Sequence, residues 1–462
     1  MLATTDVSTP MTIFFACILI AMIVSLALEE KLHAKKSLIV MVYAMVSLLL
    51  GSIFLDLPFG PYEIGGHDID MPVYIPAIDW GVITIILGSS LFVDVTSRSG
   101  LFSWIAIKLT KASHGDPVIL LWFYGLMTVF FSAVLNNVTA MVIVGSLTGV
   151  SLNKLNKSEL LLGFLLIEGL LTNVGGLLTL ISSVPNIIVG TTAGISFVTF
   201  FIKAAPYVVV TTVATVFLGA KIFRIRRLVT EEERATARAL VETFDERDGI
   251  ESIGFFYFSA AMLVLFILTI ATTSFIPHIA ELGMGFVAMS FGYIMLIRFK
   301  HDVDKFYQVV DWDLLGFFIS LFIVINVMEH AQVLAMIGHG LEKLVALGDV
   351  AGPGSILISA AIASAFTDNI PLAAMLAKIF AGIPDVANDS NSPYWWAVIF
   401  GANLGGNLTP IGSASTLVAV TIMHRYKIKM TFGDFIIKAL PFAALGIALA
   451  VGVGAVIGGT VG

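Results

Sequence analysis

TNVGGLLTLISS at 172–183 and ANLGGNLTPIGS at 402–413 are one segment written twice, 230 residues apart. Each lies in the middle of a long apolar stretch, 159–192 and 394–423, which glycine, asparagine and proline interrupt. Three more pairs keep the same order and nearly the same spacing. IDW at 78–80 returns as VDW at 310–312, FSAVLNNV at 131–138 as ASAFTDNI at 363–370, and FVTFFIKAAP at 197–206 as FGDFIIKALP at 432–441. Four ordered blocks at nearly constant spacing are an internal repeat, not chance apolar similarity.

The rest of the composition says where such a repeat lives. Of 462 residues 58% are hydrophobic and 12% charged, against roughly 45–50% and about 25% in an ordinary soluble domain. Apolar runs near the ~20 residues that a bilayer demands occupy about 11–28, 37–57, 80–97, 206–223, 253–276, 282–298, 312–329 and 441–460. This is an all-α polytopic membrane protein, not a soluble enzyme, a disulfide scaffold or a nucleic-acid binder. The single cysteine, Cys17, excludes an intrachain disulfide and a cysteine-built metal site. The N-terminal MLATTDVSTP lacks the basic region of a signal peptide, so 11–28 reads as a retained first helix.

Two further stretches, 118–150 and 354–380, are apolar with a polar tip, and their arms are short for a crossing. They read as re-entrant hairpins. With the N-terminus outside, all of the 25 Lys and Arg except Lys203, Lys343 and Lys378 then fall on the cytoplasmic side, as the positive-inside rule requires. These basic sites include the 31–36 loop, 98–111, 221–247 and 298–305. Ten crossings and two hairpins result. They fall into a first half (1–223), a charged cytoplasmic linker (224–251) and a second half (252–462), with both termini outside. Each half holds five crossings, an odd number, so the halves are inverted. Inverted repeats with discontinuous helices and a midplane site are the architecture of secondary transporters.

Unwound backbone within a membrane survives only where protein buries it or a cavity hydrates it. Four such places should converge. The hairpin tips carry Asn136, Asn137 and Thr139, and Thr367, Asp368 and Asn369; the breaks carry Asn173, Gly175, Gly176, Ser182, Ser183 and Asn186, and Asn403, Gly405, Gly406, Asn407, Thr409 and Ser413. Glycines there free backbone groups, and the neutral oxygens can replace the hydration shell of a small ion or hold a small polar solute. Glu168 lies about nine residues, roughly 14 Å, into its crossing, and Asp368 sits at a tip. Neither has an evident basic partner in the sequence. A carboxyl so placed can carry a proton or a cation, and Asp94 is a further candidate. The Asp79-Trp80 and Asp311-Trp312 pairs read as helix N-caps with interfacial anchors.

SAVLNNVTA, IEGLLTNVGGLLTLISSVPNIIVG, SAFTDNIPL and WWAVIFGANLGGNLTPIGSAS resemble the ArsB/NhaD-type branch of the ion-transporter superfamily. Its members include sodium–proton antiporters, arsenite permeases, the melanosomal P protein and, more distantly, citrate and dicarboxylate carriers. The resemblance covers about 79–223 and 311–445. It implies a site at hairpin tips and broken helices, elevator-type motion and a homodimer, and it marks Glu168, Asn173, Asn186, Asp368, Asn369, Asn403 and Asn407 as matching motif positions. Position 136 is Asn where the family often has Asp, and Ser182-Ser183-Val184-Pro185-Asn186 replaces a common Gly-Asp-Pro-Pro-Asn.

The reading that follows is a proton-coupled small-ion exchanger, of sodium against protons first, in a prokaryotic plasma membrane. It needs no cofactor beyond the Na+ or H+ it carries. An arsenite or citrate/dicarboxylate transporter of the same superfamily is the nearer alternative, and an ion channel the more distant one.

Overall fold

Backbone that crosses a bilayer must satisfy its own hydrogen bonds, and this chain does so with helices. The computed structural model describes residues 7–55, 57, 62–64, 67–69, 71–298, 307–308 and 310–459. Lys300 and Lys305 of the expected basic loop, most of the N-terminal MLATTDVSTP and Thr460, the expected end of the last span, lie outside them.

The first half runs through α1 (Thr9–Ala27), α2 (Lys36–Phe54), α3 (Trp80–Arg98), α4 (Leu101–Ala112), α5 (Pro117–Val134), α6 (Asn137–Lys154), α7 (Leu161–Gly176), α8 (Val184–Thr192) and α9 (Phe197–Ile222). A linker helix α10 (Glu231–Glu242) follows. The second half is α11 (Ile253–Thr272), α12 (Ile279–Arg298), α13 (Trp312–His330), α14 (Val333–Val345), α15 (Ala351–Phe366), α16 (Asn369–Ala381), α17 (Pro393–Gly405), α18 (Ala414–Arg425) and α19 (Phe432–Gly459). A short antiparallel hairpin, Tyr62–Ile64 with His67–Ile69, lies in the loop after α2. Each half therefore contains three spans, a short helix, a hairpin, a broken helix and a last span. The hairpins are α5–α6 and α15–α16; the broken helices are α7–α8 and α17–α18.

The repeats match in detail. Asp79 caps α3 by accepting from Val82 N, and Asp311 caps α13 by accepting from Leu314 N. Trp80 and Trp312 each donate Nε1 to a carbonyl five residues back, Ile75 O and Tyr307 O. Past the spans the chain turns through a left-handed residue, Gly100 (φ 80°) or Gln332 (φ 60°). It then enters α4 or α14, two short amphipathic helices of 12 and 13 residues, too short for a span.

Two groups of helices form. The first three spans of each half pack across the repeat, α12 along α3 and α13 along α2. The hairpins and broken helices make the second group: α7 lies on α5, α17 on α15, α8 on α16 and α18 on α6. Of an 18-residue window in Ser158–Gly176, which ends with α7, 83% is buried, whereas in α1, α2, α11 and α19 the share is 33%. The breaks are thus the centre of the molecule, and α1, α2, α11 and α19 form its lipid-facing rim. We call the groups scaffold and core.

Three boundaries differ from expectation. The last spans begin at Phe197 and Phe432, ahead of Pro206 and Pro441, which stand inside α9 and α19; neighbouring helices supply the packing that lets a membrane helix run through proline. α12 departs from helical geometry at Gly283 (φ 75°), which explains why the apolar pattern starts near 282. The breaks also come later than the glycines suggest. Asn173–Gly176 and Asn403–Gly405 are helical, and the unwound segments are 177–183 and 406–413.

Candidate functional site

The glycines at the ends of α7 and α17 permit close approach. A Cβ on Gly175 would stand 2.7 Å from the Val129 backbone of α5, and one on Gly405 would stand 2.3 Å from Ala361 O of α15. Both helices can therefore press their hairpins' first arms, and Ser132 and Ser364 tie the contact by donating to Thr172 O and Ala402 O at 2.6 Å each. Thr179 and Thr409 add equivalent bonds from the unwound segments to Ala133 O and Ala365 O.

Across the repeat the breaks interlock reciprocally. Ser183 donates to Asn403 Oδ1 (2.7 Å), and Ser413 donates to Asn173 Oδ1 (2.9 Å). Asn173 Nδ2 donates to Asn407 Oδ1 (2.8 Å), and Asn403 Nδ2 to Asn186 Oδ1 (2.9 Å). Asn186 in turn donates to Gly176 O (2.6 Å) and Thr179 O (2.9 Å). Asn137, at the first tip, reaches Asn173 Oδ1 at 3.3 Å. Asn173, Asn186 and Asn403 are fully buried. Unpaired, each buried amide would cost about 1–3 kcal/mol; paired in this way, they hold the unwound backbone in one arrangement.

In front of this network lies a cavity of about 320 Å³, at the small end of ligand sites. Its core wall is made of helix beginnings: Asn136–Thr139 opening α6, Ser182–Pro185 opening α8, Asn369–Ile370 opening α16 and Ser413–Ser415 opening α18. Its scaffold wall is Ser90, Val93, Asp94 and Ser97 from the last turns of α3, with Asp311 and Leu314 from the first turn of α13. The cavity thus lies where α3 ends at Arg98, toward the basic end of the bundle. Asp94 is ion-paired to Arg98 at 3.2 Å.

Of the residues singled out in the sequence, Asp94, Asn136, Asn137, Thr139, Ser182, Ser183, Asn369 and Ser413 line this cavity. Asn173, Asn186, Asn403, Asn407 and Thr409 stand behind it in the network, and Gly175, Gly176, Gly405 and Gly406 serve packing. Asn136 and Asp368 both cap the return arms of their hairpins, accepting from Thr139 N (2.7 Å) and Ile370 N (3.1 Å).

One expectation needs correction. Asp368 is not unpartnered: Lys36, at the start of α2, reaches its Oδ2 at 2.9 Å and also approaches Glu29 at 3.7 Å. The pair closes a second, smaller cavity of about 160 Å³ that includes Thr367, on the other side of the tip from Asn369. A basic side chain assigned to a loop therefore does reach a hairpin tip. Glu168, for its part, is fully buried away from the cavity wall. It accepts from Thr148 of α6 at 2.6 Å, and its Oε2 has no hydrogen-bond partner among the described residues. The scaffold wall, Asp94 apart, is an addition to the site expected from the sequence. Ser90, Asp94 and Ser97 recur at three- and four-residue spacing on α3, a polar stripe along one side of the span, and that spacing was the available signal.

An inverted repeat with interlocked breaks and a half-helix cavity defines a polytopic membrane transporter. The chain belongs to the citrate transporter family, whose model matches residues 20–401; the family is one of transporters, not enzymes. An uncharacterized transporter of Mycobacterium tuberculosis is 30% identical over 376 residues, covering 81% of this chain and 85% of its own length. The human P protein is 22% identical over 441 residues, covering 79% of this chain and 52% of its own length. Among solved structures, the YdaH transporter of Alcanivorax borkumensis superposes with a TM-score of 0.59 at 13% identity, covering 91% of this chain and 97% of that one. MtrF of Neisseria gonorrhoeae superposes with a TM-score of 0.55 at 15% identity, covering 91% and 94%. These likenesses in structure concern the fold.

Proposed function

We propose that the chain is an elevator-type secondary transporter of a small anion, a carboxylate of the citrate class first among them. One observation carries this reading: four half-helices begin at the same cavity. The first turn of each presents N–H groups without intrahelical partners and the positive end of its dipole, which is how discontinuous membrane helices hold anionic groups. Asn137, Thr139, Ser182 and Asn369 add neutral donors around them. The family's description points to the same chemistry.

In this reading the core carries the bound solute past the scaffold, and the cavity takes it up from the basic, cytoplasmic end. Glu168 lies in the moving core and is the proton-handling group; Asp94 faces the solute from the scaffold. The protein sits in a bacterial plasma membrane as a homodimer, with its termini outside and 224–251 inside.

Sodium–proton exchange is the second reading. Its specific support is Asp94 among Asn, Ser and Thr oxygens in one cavity, a donor set suited to a hard cation. It loses the support of Asp368, whose charge Lys36 answers. Proteoliposomes with an imposed pH gradient decide between the two. Citrate should dissipate the gradient saturably while sodium and lithium do not; dissipation by sodium alone would overturn the anion reading, and dissipation by arsenite alone would assign the arsenite alternative.

A further inference from the structure

The scaffold wall of the cavity is drawn from one end only, the last turns of α3 and the first turn of α13. Yet α3 and α13 are the same element inverted, starting at Trp80 and Trp312 and ending at Arg98 and His330. They share the aspartate cap, the tryptophan anchor and the left-handed turn that follows. An inverted pair offers the same wall at both ends with the helices' parts exchanged. The residue that α3 gives to one end has its counterpart in α13 at the other.

We infer that, when the core stands at the opposite end, the solute site faces a second scaffold wall made of Phe322, Ile325, Asn326 and Glu329 from α13, with Asp79 and Val82 from α3. These are the repeat counterparts of Ser90, Val93, Asp94, Ser97, Asp311 and Leu314. At present the apolar part of that wall is shut: Val82, Ile325 and Phe322 are buried, at 0%, 3% and 9% exposure, while Asp79 and Asn326 are half-buried and Glu329 is exposed. Glu329 is bound at 3.1 Å to Lys378 of α16, in the core. The chemistry of the wall is kept although its sequence is not. Each end presents two scaffold carboxylates, Asp94 with Asp311 here and Asp79 with Glu329 there. Phe322 in place of Ser90 makes the second wall more apolar. Opening it requires the Glu329–Lys378 pair to part.

This inference rests on the elevator reading, and its test is independent of the cargo. In a Cys17→Ser background, Phe322→Cys, Ile325→Cys and Val82→Cys are reconstituted and exposed to a membrane-impermeant maleimide at the face opposite Arg98. Val324→Cys is the control, since Val324 is fully buried in the scaffold one residue from Ile325. The wall residues should label at least ~10-fold faster than the control, and Ser90→Cys should label from the Arg98 face. If all three wall variants label no faster than Val324→Cys while Ser90→Cys labels from its own side, the second wall does not exist. Citrate counterflow in the same vesicles reports on the anion reading separately, because the core can exchange ends whatever it carries.

Discussion

Lys36 and Asp368 join the first residue of a scaffold helix to the tip of a core hairpin, so the sliding of the core that we propose must break the pair. Asp368→Asn removes the charge and keeps a good helix cap, which leaves the ion pair as the main loss. The two side chains are 28% and 14% exposed, so the bond belongs between an exposed pair worth under about 1 kcal/mol and a fully buried one. A charge-assisted hydrogen bond of that kind contributes about 1.5–3 kcal/mol, or roughly 10–150-fold in the balance between two positions. Maleimide labelling of Phe322→Cys from the opposite face measures that balance while the alternate position is minor. Asp368→Asn should raise the labelling rate by that factor. Lys36→Met should do likewise, and the double variant should add little to either. Because the pair is largely shielded, raising the salt to about 1 M should change the result little. A rate within two-fold of the parent in Asp368→Asn would refute the pair as a restraint. If Asp368→Asn instead abolished transport with no change in labelling, the carboxylate would be acting on the cargo, as its reading from sequence alone supposed.

Two further expectations follow from the site and one from the linker. Asn403→Ala leaves Ser183 and Asn186 without their buried partner and should lower stability by about 2–4 kcal/mol; thermal melting in detergent checks this, and an unchanged midpoint would show that the network is not structural. Glu168→Gln should bind cargo within two-fold of the parent but lose the response of uptake to an imposed pH gradient; a normal response would remove Glu168 from proton handling. The linker is strapped to α4 by Glu246, just past its helix, which pairs with Lys108 and with Lys111 at 3.4 Å; the bond to Lys108 in particular holds its carboxyl below the usual range. A depressed carboxylate contributes above its unfolded value of about 4.3 and ceases to as pH falls through the folded one. Nicking of 224–251 by an acid protease should therefore rise as pH falls below about 4.3, a serine protease at about pH 7 should leave the parent intact, and Glu246→Gln should be nicked at about pH 7 as well.

Much of the fold was legible because bilayer length and the positive-inside bias act on every span, and because repeat blocks carry topology with them. The polar tips and breaks were legible for the same reason: Asn136, Asn369, Ser183 and Ser413 stand out against apolar surroundings. What lay hidden depended on tertiary packing. Lys36 and Asp368 are 332 residues apart, and nothing local announces their meeting. Gly175 and Gly405 look like freed backbone in the sequence, but their missing side chains make room for Val129 and Ala361. The amphipathic α4 and α14 are too short to register by bilayer length. Asn173 and Asn403 are central without touching the cavity, because a buried amide network and a ligand site use the same residue types.

The claim that the half-helix cavity holds a small anion is tested most directly by counterflow. Proteoliposomes preloaded with unlabelled citrate and diluted into labelled citrate should accumulate label transiently above equilibrium, with no overshoot in protein-free vesicles. Absence of the overshoot, together with saturable sodium-driven proton movement in the same vesicles, would contradict the account and assign the cavity to a cation.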